Sequence, residues 1–383
     1  MNEITAQPQT ELVIEPSSYN TTTQSHCDPP VSKKCSLSFS LTPVLTKFHA
    51  GYFRISLSLC SQALLWKILG EPPHNAHALR QVLSFLPSAA VALLWSIVSF
   101  TLAFLSLLYI LRCFFHFEMV KAEFLHHVGV NYLFAPWISW LLLLQSSPFI
   151  TPKSVYYIVL WWVFAVPILV LDVKIYGQWF TKGKRFVSVV ANPTSQISVI
   201  GNLVAARAAS QMGWREFAIG MFSLAMAHYL VLFVTLYQRL SGSTSLPAML
   251  RPVFFLFIAA PSMASLAWVA ISGTFDNASK MLFFLSLFLF LSLVSRPTVF
   301  RKSMKKYSLV WWAYSFPLTV LALASVEYAE EVKSGMAHAL MLGLSALSVL
   351  VILALMVCSV INTSMLVLDR LRVSTTSRPN SDS

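Results

Sequence analysis

Charge is the scarcest property of this sequence. Only 11% of its 383 residues are charged, whereas about one quarter of an ordinary soluble domain is charged. The 5 cysteines show no paired spacing of the kind that zinc sites or disulfide frameworks use. A glycine-rich phosphate loop, a metalloprotease helix signature and a nucleophile elbow are all missing from the sequence. We therefore expect no enzyme activity, no metal site and no bound cofactor.

Apolar residues, by contrast, make up 56% of the chain and collect in long runs. Most runs are about 17–25 residues long, the length at which a helix spans a bilayer core of roughly 30 Å. The runs predict an all-α polytopic membrane protein with ten transmembrane helices. They lie at about 48–70, 87–112, 130–146, 154–173, 195–212, 216–238, 253–272, 280–295, 308–328 and 336–368.

The two ends of the chain differ in composition from this central region. Residues 1–47 are polar and rich in Ser, Thr and Pro, which is typical of a disordered tail. Residues 369–383 are also short and polar. We therefore expect a transmembrane domain at 48–368 between two tails, with no soluble catalytic domain at either end.

The 27 Lys and Arg residues indicate the orientation in the membrane. Most of them fall in the two tails and in the loops after the even-numbered helices, and cytosolic segments accumulate such residues. Both termini are therefore predicted to be cytosolic. Because these cations are distributed loop by loop, they favour anchoring to anionic lipid over a nucleic-acid surface.

Each odd-numbered helix contains a residue that interrupts helices. These residues are Gly51, Pro136, Gly201, Pro261 and Pro317. A proline frees a carbonyl group that neighbouring helices or cavity water must satisfy, so repeated interruptions favour helices gathered around an interior space. The alternative is that Gly and Pro are simply common in transmembrane helices.

Several long motifs are familiar and occur in a familiar order. They are FRISLSLCSQALLWKIL, VNYLFAPW, KIYGQW, ANPTSQISVIGN, AHYLVLFVTLYQRL, FIAAPSMASLAW and WWAYSFPLT. From about Phe48 to Ala329 the chain resembles the plant slow (S-type) anion channels of the tellurite-resistance and C4-dicarboxylate transporter superfamily. The resemblance implies five helical hairpins, odd-numbered helices around a central pore, and trimers of the plant plasma membrane that conduct chloride and nitrate.

The resemblance also assigns roles to single residues. The phenylalanine that occludes the family pore corresponds to Phe316, and a hydrophobic constriction of this kind gates a pore by excluding water. The basic residues at the cytosolic mouth correspond to Lys121 and Arg296. Snorkelling of either cation to the membrane interface is the alternative to a pore role.

Two positions depart from the family pattern. Arg54 in the first helix and Arg207 in the fifth stand where the better-studied long members have a glycine and an apolar residue. A charge within a membrane segment is costly and is by default functional. We expect both side chains to project toward the pore and bind permeating anions. Pairing with backbone carbonyls near a helix end is the alternative.

These observations predict a slow, weakly voltage-dependent channel for chloride or nitrate efflux. The pore helices show no clear, paired set of carboxylates, and Asp172 lies near the end of its predicted span, which weakens a proton-coupled dicarboxylate carrier, the second hypothesis. The third is an electrically silent subunit that assembles with a longer homologous channel. The two arginines and the short tails favour that hypothesis, and either a homotrimer or a hetero-oligomer is compatible with it.

Overall fold

The computed structural model describes residues 42–71, 88–126, 128–182, 192–240, 248–305 and 307–376, and these ranges are helical without strands. The ten long helices are α1 (Phe53–Gly70), α2 (Ser88–Phe115), α3 (Phe134–Ser146), α4 (Val155–Lys182), α5 (Gln196–Gln211), α6 (Arg215–Leu240), α7 (Leu256–Ser272), α8 (Asn277–Val294), α9 (Ser315–Val332) and α10 (Gly335–Thr376). Each coincides with one predicted run. The all-helical prediction is therefore confirmed.

Seven of these helices are long and apolar enough to cross a bilayer, and α1, α3 and α5 are the exceptions. Helix α3 qualifies as an eighth span only when the segment Gly129–Ser146 is joined to the helix Phe117–Leu125 across a bend of 106°. Helices α1 and α5 carry Arg54 and Arg207, and α5 has only 16 residues. Short, polar helices are tolerated at membrane depth where protein rather than lipid surrounds them.

The odd-numbered helices form a closed inner ring. Helix α1 contacts α3, α3 contacts α5, α5 contacts α7, α7 contacts α9, and α9 returns to α1. Each even-numbered helix packs outside, against the inner helix before it and the inner helix after it. Burial agrees with this arrangement, because 78% of the apolar window of α7 and of α9 is buried, against 17% for α2 and 22% for α8.

Polar side chains join neighbouring helices of the ring. The Ser56 and Ser139 hydroxyls are 3.1 Å apart between α1 and α3. The Ser210 hydroxyl donates to the Ala270 carbonyl of α7 at 2.6 Å, and Gln62 of α1 donates to Thr319 of α9 at 3.2 Å. Since lipid offers no hydrophobic drive for helix association, such bonds and close packing hold the ring together.

The interrupting residues lie mostly at the starts of helices rather than in their middles. Pro136 and Pro317 occupy the first turns of α3 and α9, where the missing N–H of proline leaves no bond unmade. Gly51 precedes α1 in a 3₁₀ turn, whereas Gly201 and Pro261 lie within α5 and α7. A 3₁₀ segment therefore precedes α1 and α9, whereas a short α-helix, Gly129–Tyr132, precedes α3.

Helical structure continues past both predicted ends of the transmembrane domain. The helix Thr42–Lys47 lies within the expected N-terminal tail and contacts α2. Helix α10 continues to Thr376, past the expected boundary at 368. Residues 1–41 and 377–383 lie outside the described ranges, so the predicted disorder of the tails stays a prediction.

Candidate functional site within the inner ring

A cavity lies at the N-terminal ends of the inner helices. The space that a water-sized sphere can occupy within it is about 10 Å³, roughly enough for one small molecule or ion. Every segment of the inner ring contributes to its wall, and the lining residues are Arg54, Leu57, Tyr132, Ile197, Val253, Leu256, Trp312, Ala313 and Phe316. Because five segments that are far apart in sequence meet here, the cavity lies on the central axis of the ring.

Phe316 forms part of this wall. It is the second residue of α9 and its side chain is only 2% exposed. The preceding segment is anchored to the helices around it. The Trp312 indole donates to the hydroxyls of Tyr307 and Ser359, each at 3.2 Å, and the Trp312 carbonyl accepts from Ser58 at 3.3 Å. Phe316 thus lies in the wall of the central cavity, and its role as the pore gate stays a prediction.

Among the described residues that line the cavity, Arg54 alone is charged, and the others are apolar or aromatic. Its guanidinium lies 4.6 Å from the centre of the Tyr132 ring, within range of a cation–π interaction. Its Nε and Nη1 atoms are buried and have no hydrogen-bond partner among the described residues. A buried cation with unsatisfied donors is costly unless an anion reaches it.

The turn before α1 holds Arg54 in this position. His49 accepts a hydrogen bond from the backbone N–H of Gly51 at 3.1 Å. A Cβ atom on Gly51 would lie 2.6 Å from the His49 ring and 2.9 Å from Nη2 of Arg54. Both contacts are too close, so glycine at position 51 provides the space that the imidazole and the guanidinium occupy.

The second predicted arginine lies toward the opposite end of the ring. Nη1 of Arg207 donates to the Gln145 side-chain oxygen of α3 at 2.7 Å. Lys67 of α1 donates to the backbone carbonyls of Gln145 and Ser147 at 3.0 and 3.2 Å. Glu327 of α9 and Glu71 at the end of α1 are close enough to act electrostatically on Arg207. Arg207 therefore belongs to a network of polar and charged groups, and it does not line the cavity.

Comparison with known proteins shows which family this ring of helices belongs to. The family model described as a voltage-dependent anion channel matches residues 47–360. The chain is 60% identical over 326 residues to the S-type anion channel SLAH1 of Arabidopsis thaliana, covering 85% of this chain and 84% of that one. It is 58% identical over 326 residues to the S-type anion channel SLAH4 of the same plant, covering 85% and 87%.

The chain belongs to the voltage-dependent anion channel family. A more distant member is the guard cell S-type anion channel SLAC1 of Arabidopsis thaliana, 43% identical over 322 residues. That match covers 84% of this chain but only 56% of the relative. The comparisons identify a channel rather than an enzyme, and the shared region is the helical ring with its cavity.

The two cations expected at the cytosolic mouth of the family pore lie away from the cavity. Lys121 is 53% exposed in the helix Phe117–Leu125, and its ammonium group pairs with Glu118 at 3.6 Å. Arg296 is exposed in the connection after α8. Neither residue lines the cavity, so a role for them in attracting anions stays a prediction.

Sequence reasoning missed several functional candidates. Tyr132, which faces Arg54, lies inside the VNYLFAPW motif and could have been found there. Gln145 is a lone amide at the end of an apolar run, a signal that was also present in the sequence. The hydrogen bond between Gln145 and Arg207 could not be predicted from the sequence, because 62 residues separate the two partners.

Proposed function

We propose that this chain is a plasma-membrane anion channel that releases chloride or nitrate, with both termini cytosolic and Phe316 as its gate. One observation carries the proposal. All five segments of the inner ring converge on a cavity whose wall combines Phe316 with the cation Arg54. An aromatic ring across a narrow apolar passage opposes the entry of water, and a fixed positive charge beside it favours anions over cations.

A proton-coupled carrier is the weaker candidate. Asp172 is buried between α4 and α5, where it accepts a hydrogen bond from Asn202 at 2.7 Å. It does not line the cavity. A proton relay would need a titrating group along the transport path, so the position of Asp172 supports a channel. The relatives named as S-type anion channels support the same conclusion.

The test is whole-cell current from oocytes that express the chain alone, in chloride and in nitrate baths. We expect a small anion current from the unaltered chain and a large one from Phe316→Ala. Phe283→Ala is the matched control, because Phe283 is also fully buried but lies on the outer helix α8. Its current should equal that of the unaltered chain.

Silence from both the unaltered chain and Phe316→Ala, with surface expression measured by biotinylation, would overturn the proposal. Co-expression with a longer S-type relative then tests the modulatory subunit, which predicts a changed current only in the presence of the partner. A homotrimer is the assembly we propose for the conducting form, and its mass in detergent measures this directly.

A further inference from the structure

Among the residues that the structure describes, no carboxylate pairs with the positive charge of Arg54. The side chain is only 8% exposed, and removing a cation from water without compensation is costly. The carboxylate of Glu123 contacts Ala50 and Arg112, and its Oε2 has no hydrogen-bond partner among the described residues. Its Oε1 accepts from the Ala50 N–H at 2.8 Å, and its Oε2 lies 3.8 Å from Arg112. Arg54 therefore places a charge without a described partner in the wall of the cavity.

The contacts of Arg54 fix its orientation without using its donors. Tyr132 interacts through its ring with the guanidinium, an interaction that requires none of the N–H groups. Gly51 leaves room on the other side, since a Cβ there would meet Nη2 at 2.9 Å. This arrangement is preorganised, because the cation is held in place before any ligand arrives.

The other residues that line the cavity restrict which ligands would fit it. Leu57, Ile197, Val253 and Leu256 are apolar and offer no polar contact to a large polyanion or to a cation. A single guanidinium neutralises one negative charge and donates hydrogen bonds to it. A small monovalent inorganic anion, such as chloride or nitrate, satisfies both conditions.

We propose that Arg54 is the coordination site of one small monovalent anion, held in the cavity against Phe316. The site deepens the proposed channel function and rests on it for its purpose, but anion binding itself is measurable without any current. An anion bound here would restore the charge balance that the folded chain lacks at this position. Anions should therefore stabilise the folded protein.

The experiment measures thermal unfolding of the full chain, purified in detergent, at constant ionic strength. Sodium gluconate is replaced stepwise by sodium chloride or by sodium nitrate, since gluconate is a bulky polyhydroxylated anion. We expect the Tm of the unaltered chain to rise with chloride and with nitrate in a saturable way, and this rise to be lost in Arg54→Gln. Arg207→Gln is the matched control, because Arg207 is equally buried but does not line the cavity. It should keep the rise.

An equal rise in Arg54→Gln, or no rise in the unaltered chain, overturns the site. Should Arg54→Gln fail to give a monodisperse protein, Arg54→Lys decides. Lysine keeps the charge but not the planar fork of donors, so the midpoint of the rise must move to a several-fold higher anion concentration. An unchanged midpoint in Arg54→Lys contradicts the proposal.

The two proposals fail in different ways. A saturable, Arg54-dependent rise in Tm, from a chain that gives no current in oocytes, would support the binding site and contradict the channel function. A large current from Phe316→Ala, together with an anion-induced rise in Tm that is the same in Arg54→Gln, would support the channel function and contradict the binding site.

Discussion

The two ends of the inner ring each contain a buried arginine, and the two arginines have opposite surroundings. Arg54 is 8% exposed and Arg207 is 6% exposed, so burial does not distinguish them. Arg207 is bonded to Gln145 and has Glu327 and Glu71 within electrostatic range. Arg54 faces an aromatic ring and has two nitrogen atoms without a partner among the described residues. Removing one member of a compensated buried pair leaves the other unpaired and destabilises the fold, whereas an uncompensated cation is available to a ligand.

The largest effect should come from removing Arg207, and removal of Arg54 provides the contrast. Arg207→Met leaves the Gln145 oxygen buried without its donor, which should cost about 3 kcal/mol of the free energy of unfolding. Arg54→Met removes an unpaired charge and should leave the Tm in gluconate unchanged or higher. Thermal unfolding of both variants measures the contrast. Equal destabilisation by both would mean that the two ends are alike.

Two glycines of the inner-ring segments, one tightly packed and one not, provide the second contrast. Gly51→Ala places a methyl group 2.6 Å from His49 and should cost about 1–3 kcal/mol through overpacking. It should also displace the Arg54 guanidinium and weaken the anion-induced rise in Tm. Gly201→Ala meets Phe134 and Ile138 at ordinary distances of 3.4 and 3.5 Å and should be tolerated. If Gly51→Ala leaves both the Tm and the anion-induced rise unchanged, glycine at position 51 is not needed to hold Arg54 in place.

Tyr132 tests how Arg54 is held. Tyr132→Leu removes the ring beside the guanidinium and should cost up to about 2 kcal/mol, the range for a desolvated cation–π pair. Tyr132→Phe keeps the ring and serves as the control, with little change expected. Thermal unfolding and the midpoint of the chloride titration are the two readouts. Identical behaviour of the leucine and phenylalanine variants would argue against the cation–π contact.

The smallest effect should follow from changing Lys121. Its ion pair with Glu118 is exposed, and such pairs contribute about 0.2–1 kcal/mol. Lys121→Gln should therefore barely move the Tm, and it should leave the anion-induced rise intact. A loss of that rise in Lys121→Gln would shift the anion site from the cavity to the surface.

Much of the fold was predictable because bilayer thickness limits helix length. Apolar runs located all ten helices to within a few residues, apart from longer shifts at the start of α9 and the ends of α4 and α10. The interruptions in the odd-numbered helices correctly indicated which helices gather inside. Sequence did not predict that α1, α3 and α5 would fail the criteria for an independent membrane span, since their shortness and polarity are tolerated only within the ring.

The candidate site was predictable in its residue types but not in its contacts. The motif around Phe316 and the unusual charges at Arg54 and Arg207 were visible in the sequence. Lys121 and Arg296 were equally visible as cations, yet they lie outside the cavity wall. The sequence shows that a residue is charged but not which residue it pairs with. That partner determines whether the charge stabilises the fold or binds a ligand.

The sequence by itself determined that the chain is a helical membrane protein, because its apolar runs match the thickness of a bilayer and its charges are too few for a soluble surface. Only the tertiary structure decided that Arg54 stands beside Tyr132 and Phe316 while Arg207 is bonded to Gln145. The physical reason is that compensation of a buried charge depends on groups within a few ångströms. Closure of the ring, rather than proximity along the chain, brings those groups together.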